Sequence, residues 1–219
     1  MSVPKVSMLT LYTTAVSANG RKVLALAKHL ELEVDVRIVN VYRGEGQSPE
    51  YRAINPWGKV PTLQDGDLVL WESNGILVYL AEGYAGSRLW SRDAKARANI
   101  LRWLFWESAH WQPALTRVLA ARAAQLLFPE HAGVPAPVCW DDAEVKRLLG
   151  VMDSELLQRQ YVCGSELSIA DFSLAGMTTY FGATGFPSAQ FRGVAAWIGR
   201  MNDVPAWRAT LVAPWADAL

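Results

Sequence analysis

The sequence predicts an α/β domain followed by an all-helical domain. Strand-like and helical stretches alternate through the first 82 residues, the strand signal stops at Asp93, and a breaker-containing segment lies between. Residues 1–82 are therefore read as the α/β domain, 83–92 ("GYAGSRLWSR") as the linker and 93–219 as the helical domain.

Taken in order, Val6 to Tyr12 is a short apolar run suited to a buried strand. Val23, Leu26, Ala27 and Leu30 then recur at helical spacing. "EVDVRIVNV" alternates Val34, Val36 and Ile38 with Asp35, Arg37 and Val39, which suits a second strand. The stretch Pro49 to Ile54 reads as irregular or helical. "KVPTLQDGDLVLWES" predicts two strands about the turn Gln64-Asp65-Gly66-Asp67, with Asp-Gly as the hairpin signal. Ile76, Leu77 and Leu80 mark a helix face after it, so a mixed sheet carries covering helices. From Asp93 to Phe128 good helix formers dominate, and Pro113 must kink, break or open a helix there. Pro129, Gly133, Pro135 and Pro137 make a loop. Helical spacing returns over 141–160, 169–180 and 194–201.

Bulk properties exclude several classes. Lys plus Arg equals Asp plus Glu at 21 each, with no basic cluster, so nucleic acid is not the expected partner. No apolar run reaches the roughly 18 residues of a membrane span. The opening MSVPK lacks the pattern of a signal peptide, which makes the cytoplasm the expected location. Cys139 and Cys163 are too few and too far apart for a disulfide framework or a zinc site, so no metal is expected.

Three places carry possible chemistry. Ser17 stands where the first strand gives way to a helix, either as an N-cap or as a group that touches a ligand. Pro61 enters what otherwise reads as a strand, which leaves Val60 at a sheet edge with backbone groups able to pair with an extended, peptide-like ligand. Glu72 and Ser73 sit at a second strand-to-helix joint, with Ser73 a good N-cap and the helix start an anion-binding position.

The stretches "LYTTAVSANGRKV", "PEYRAINPWGKVPTLQDGDLVLWESNGILVYLAE", "LWSRDAKARANILRW" and "YVCGSELSIADFSL" together resemble the cytosolic glutathione transferases, in the order and spacing of that family, from Leu9 to about Asp203. The closest resemblance is to bacterial-style members of the serine-type classes, theta-like and phi-like. It implies an α/β thioredoxin-like N-terminal domain, an all-α C-terminal domain, a homodimer, glutathione as co-substrate, a small hydrophobic electrophile as partner, and a role in detoxification. Ser17 matches the catalytic hydroxyl, with Tyr12, at the end of the first strand, as its rival from the tyrosine-type classes. Val60 and Pro61 match the pair around a cis-proline that meets the cysteinyl backbone of glutathione. Glu72 and Ser73 match the pair that holds the γ-glutamyl end, and Lys59 could reach the glycyl carboxylate. Gln47 is the nearest polar substitute for a histidine common in relatives, and Trp57 replaces a residue usually smaller or Phe. Ser168 and Asp171, three apart, match a structural capping box.

The electrophile pocket is expected between the domains. Trp103, Trp106 and His110 share one helix face, with Trp103 read as core and Trp106 and His110 as pocket candidates. His29 and His131 show no partner pattern. Two further classes stay open: another glutathione-dependent enzyme (lyase, isomerase, dehalogenase or peroxidase), and a non-catalytic transferase-like binding module.

Overall fold

The computed structural model describes residues 8–84, 89–127 and 137–211. Strand β1 (Leu9–Thr13) and helix α1 (Ala18–His29) are followed by β2 (Val34–Ile38), α2 (Pro49–Ile54), β3 (Thr62–Asp65), β4 (Leu68–Trp71) and α3 (Ser73–Tyr84). The sheet order is β2-β1-β3-β4, with β1 and β2 parallel and the other pairs antiparallel. Helices α4 (Ala94–Trp106), α5 (Gln112–Leu127), α6 (Ala143–Leu156), α7 (Ile169–Thr178), α8 (Arg192–Asp203) and the short α9 (Pro205–Arg208) complete the described chain. This is the thioredoxin-like layer followed by a helical domain that the sequence predicts.

Strand alternation assigns the two faces of the sheet. Leu9, Leu11 and Leu63 point into the main core with Val23, Leu26, Ile76 and Leu80 from α1 and α3. Tyr12 points the other way, into a small cluster with Val39 and Tyr51 of α2. The parity of Tyr12 in β1 thus puts it on the face opposite the main core. The main core runs without interruption into the helical domain, through Trp103, Trp111, Leu115, Phe172, Trp197 and Trp207.

Local chemistry accounts for most element ends. Ser17 caps α1, its Oγ accepting from the Gly20 N–H at 3.0 Å. Ser48 caps α2 in the same way with Pro49 in the first turn, which settles the irregular stretch as helix. The second strand stops at Ile38, short of its expected end, because Asn40 accepts from the Arg43 N–H and starts a 3-10 turn. Asp65 pairs with Leu68, so the hairpin turn is the two residues Gly66 and Asp67, with Gly66 at φ +61°. Pro113 opens a second helix, as the second residue of α5. A π-helical turn over Glu107–Trp111 widens the coil just ahead of it, where a proline can donate no bond. The Ser168–Asp171 capping box forms, and Asp171 also accepts from Trp197 Nε1 and the Val162 N–H, both at 3.0 Å.

Helix α1 lies unusually close to β1 at its start. A Cβ placed at Gly20 would overlap Thr13 Oγ1. Gly20→Ala should therefore destabilise the fold by about 1–3 kcal/mol in a urea titration, despite the better helix propensity of Ala. Gly75→Ala, with nothing within 4 Å of its Cβ, should be neutral or stabilising in the same titration.

Candidate active site

Two adjoining cavities open between the sheet and the helical domain. The larger, about 810 Å³, is lined on the sheet side by Asn55, Trp57, Lys59, Val60, Pro61, Glu72 and Ser73. Its helical wall is Leu101, Leu104, Phe105, Glu107 and Ser108, with Gln112, Pro113 and Thr116 of α5. The smaller, about 320 Å³, is lined by Ser17, Ala18, Tyr42, Leu119, Met177, Tyr180 and a ridge of alanines at 120, 123 and 124. Asn19, Gln112 and Thr116 line both.

The loop ahead of β3 is held by a buried polar cluster. Tyr51 has one phenolic proton, which it donates to the Lys59 carbonyl at 2.7 Å, so at 2.8 Å it accepts from Thr62 Oγ1. Asn55 Nδ2 donates to the same Lys59 carbonyl and to Thr62 Oγ1, both at 2.9 Å, while its Oδ1 accepts from the Trp57 N–H. These bonds fix Lys59 through Thr62, including the cis Val60–Pro61 peptide, in the cavity wall. Val60 stays outside the β-ladder, which begins at Thr62.

The third wall is the start of α3. The Glu72 carbonyl accepts the first helical bond, from the Ile76 N–H at 3.0 Å, so Glu72 holds the cap position. Ser73, read from sequence as the cap, is instead the first helical residue, buried and facing the cavity. Glu72 adopts φ +72°, a left-handed conformation that costs a non-glycine residue about 1–3 kcal/mol. Behind this turn Asn74 Nδ2 donates to the Leu104 carbonyl and to Glu107 Oε2, both at 2.9 Å, and its Oδ1 accepts from Ser173 Oγ at 2.7 Å. The other oxygen of Glu107 accepts from Lys22 Nζ at 3.2 Å, in a pair with side chains 0 % and 1 % exposed. Burial pushes the Lys22 pKa down, against the opposing pull of Glu107 and Glu72.

The sequence-derived candidates divide clearly. Lys59, Val60, Pro61, Glu72 and Ser73 line the larger cavity and Ser17 lines the smaller. Gln47 is exposed and lines neither; it packs on the far side of the same loop, with its Nε2 2.6 Å from where a Gly58 Cβ would stand. The Tyr12 hydroxyl also lines neither cavity; it donates to Gln64 Oε1 at 3.3 Å. Trp106 and His110 line neither as well. Trp106 meets Trp103 edge-on and stacks on Trp111, and His110 is exposed. The cavity takes the other stripe of this helical run, Leu101, Phe105, Ser108 and Gln112. His29 packs edge-on against Phe172, and His131 lies outside the described residues. Among the described residues no group of three or more His, Cys, Asp or Glu is placed to hold a metal.

Sequence reasoning missed Glu107, Asn74 and Lys22. The available signal was a single acid inside the aromatic run "WLFWESAHW", where a solvated charge is out of place.

Residues 7–82 match the family model for the glutathione S-transferase N-terminal domain, and residues 109–200 match that for the C-terminal domain. The chain belongs to the glutathione S-transferase family. A glutathione S-transferase from Arabidopsis thaliana is 30% identical over 211 residues, 92% of this chain and 95% of that protein. The glutathione S-transferase GstB of Escherichia coli is 28% identical over 94% of this chain and 99% of its own. Among solved structures, the theta class glutathione S-transferase of Xanthomonas axonopodis pv. citri, with glutathione bound, superposes with a TM-score of 0.84 at 28% identity, over 95% of this chain and 99% of that one. As a glutathione transferase, the chain uses its proline-bounded loop and the strained Glu72 turn as two walls of one cavity.

Asn55→Leu removes two bonds that fix the loop and leaves the Trp57 N–H without its acceptor. It should cost about 1–3 kcal/mol of stability and raise KM for glutathione more than it lowers kcat, as steady-state kinetics would show.

Proposed function

We propose that this transferase binds glutathione along the larger cavity and activates its thiol at the junction with the smaller one, for attack on a small hydrophobic electrophile. In this reading residues 1–82 bind the tripeptide, 93–219 supply the electrophile wall, and 83–92 join them. The glycyl carboxylate lies toward Lys59, the cysteinyl backbone pairs with Val60, and the γ-glutamyl end meets Glu72, Ser73 and the free N–H groups of α3. The cytoplasm is the compartment we assign, supported by two cysteines present as free thiols.

The observation that carries the mechanism is the state of the Ser17 hydroxyl. A hydroxyl offers one proton and two lone pairs. Capping Gly20 uses a lone pair and leaves the proton free to donate into the smaller cavity. Cap and catalytic donor are therefore compatible roles. Tyr12 faces the other side of the sheet with its hydroxyl on Gln64, which favours Ser17.

Free glutathione has an ordinary thiol pKa, about 8.5, and the thiolate is the nucleophile. A hydrogen bond to the charged form, at about 1.5–3 kcal/mol, lowers that pKa by roughly one to two units. The sulfur lone pair then forms the new bond to carbon, the leaving group or displaced π-electron pair departs to the electrophile side, and the thiol proton has already gone to solvent.

Ultraviolet titration of bound glutathione tests the assignment. Ser17→Ala should raise the bound thiol pKa by about one to two units with glutathione affinity nearly intact. An unchanged pKa with lost binding would sink the role.

We also assign a homodimer. Trp57 and Phe105 are 62% and 69% exposed, and with Trp71 they form an apolar rim on the larger cavity. A second copy covering this rim would bury it. Trp57→Arg should shift the protein toward monomer in sedimentation, whereas a parent already monomeric at micromolar concentration would refute the dimer.

A further inference from the structure

We infer that Asn19 is a second hydrogen-bond donor to the reacting sulfur, acting beside Ser17. The inference rests on the transferase mechanism proposed above and adds a residue to it. Its first support is place. Of all the residues lining the two cavities, only Asn19, Gln112 and Thr116 line both, so they form the collar through which sulfur and electrophile must meet. Among the described residues the wall of the smaller cavity carries no charge, while Lys59, Glu72 and Glu107 all lie in the larger. Negative charge on sulfur at the collar is therefore met by neutral donors.

The second support is that nothing in the fold accounts for an asparagine here. Ser17 already caps α1, so the carboxamide has no capping duty. Asn is a poor helix former because its side chain competes for backbone bonds. Yet among the described residues the Asn19 side chain makes no hydrogen bond, although it is half-buried. Its two N–H donors are free, on the same helical turn as Ser17. The turn is also fixed in position, since Gly20 lets it lie directly on Thr13 at the end of β1. A short side chain on a rigid turn is a better-placed donor than Gln112, which reaches the collar from the opposite wall on a longer stem.

The chemistry has a distinctive consequence. A neutral amide stabilises S⁻ without titrating itself, so it lowers the thiol pKa, and a less basic thiolate is a weaker nucleophile per molecule. Losing the amide should therefore hurt most at low pH and least at high pH.

The test uses the full chain and four variants: Asn19→Ala, Asn19→Asp, Ser17→Ala and the Ser17→Ala/Asn19→Ala double. Bound-thiol pKa is read by ultraviolet absorbance and kcat/KM is followed against pH. Asn19→Ala should raise the pKa by about one unit, with the rate loss shrinking as pH rises through the new pKa. Asn19→Asp should raise it further, because a carboxylate opposes the thiolate. That variant keeps its fold, since an acid in the first turn suits the helix dipole, and thermal unfolding checks this. The double variant should bring the thiol to near its free value, about 8.5. A parent with a lowered thiol pKa that Asn19→Ala leaves unmoved, or a rate loss equal at every pH, overturns this inference alone. A parent with no bound thiolate overturns the transferase mechanism and this inference together.

Discussion

The buried ion pair between Lys22 of α1 and Glu107 of the π-helical turn is the constraint on which the site depends. Neither side chain is exposed beyond 1 %. Removing one partner of such a pair typically costs about 3–5 kcal/mol, because the survivor is left charged and dry, whereas replacing both by apolar groups can be neutral. The pair therefore adds little net stability but strongly penalises any other arrangement of the two elements. Asn74 extends the constraint to α3 by holding the second carboxylate oxygen, and Ser173 extends it to α7. Four elements from both halves of the chain are thereby referenced to one carboxylate.

The consequence is positional. Helix α1 carries Ser17 and Asn19, α3 begins at Ser73, and the π-helical turn opens the wall that continues into Gln112 and Thr116. A shift of any of these would separate Glu107 from Lys22 or from Asn74. The same logic applies at the fourth wall, where Tyr51 and Asn55 converge on a single carbonyl, that of Lys59. Both devices sit behind the cavity surface, and both use polar groups whose partners are fully specified. The left-handed Glu72 is tolerated in this setting because the turn is bonded from behind through Asn74, two residues on.

Much of this fold was legible in the sequence, since its signals were local. Ser17 at a strand end, Asp65-Gly66 between apolar alternations, and Ile76, Leu77 and Leu80 at helical spacing each act through nearest neighbours, and each forms the element expected. The site was legible where a motif marks backbone geometry, as at Val60-Pro61 and Glu72-Ser73. It was not legible where tertiary packing decides. Lys22 and Arg21 drew no notice in the sequence, yet α1 packs against α7 and α9 and both are buried. Arg21 lies 3.8 Å over the Trp207 ring and donates to the Trp207 carbonyl, an arrangement involving residues 186 apart. No period in the sequence encodes which helix will cover a given charge.

The electrophile wall shows the same limit from the other direction. Trp103, Trp106 and His110 form a good stripe, and an aromatic stripe serves a core as well as a pocket. Ile100, Leu104, Glu107 and Trp111 take the buried side of this run, and a π-helical turn lies within it. Five residues there complete a turn that an α-helix closes in fewer. Trp111 lies fully inward, where its Nε1 donates to the Leu174 carbonyl at 3.1 Å and Trp106 stacks on it. Gln112 and Thr116 line the cavity with Phe105 and Ser108, at ordinary helical spacing. The aromatic stripe is then needed for the core, and the polar stripe is released to the collar between the cavities. Pro113 is the sequence feature nearest to the π-helical turn. Its missing N–H makes a regular α-helical turn ahead of it the poorer alternative, so one residue without a donor marks where the π-helical turn forms.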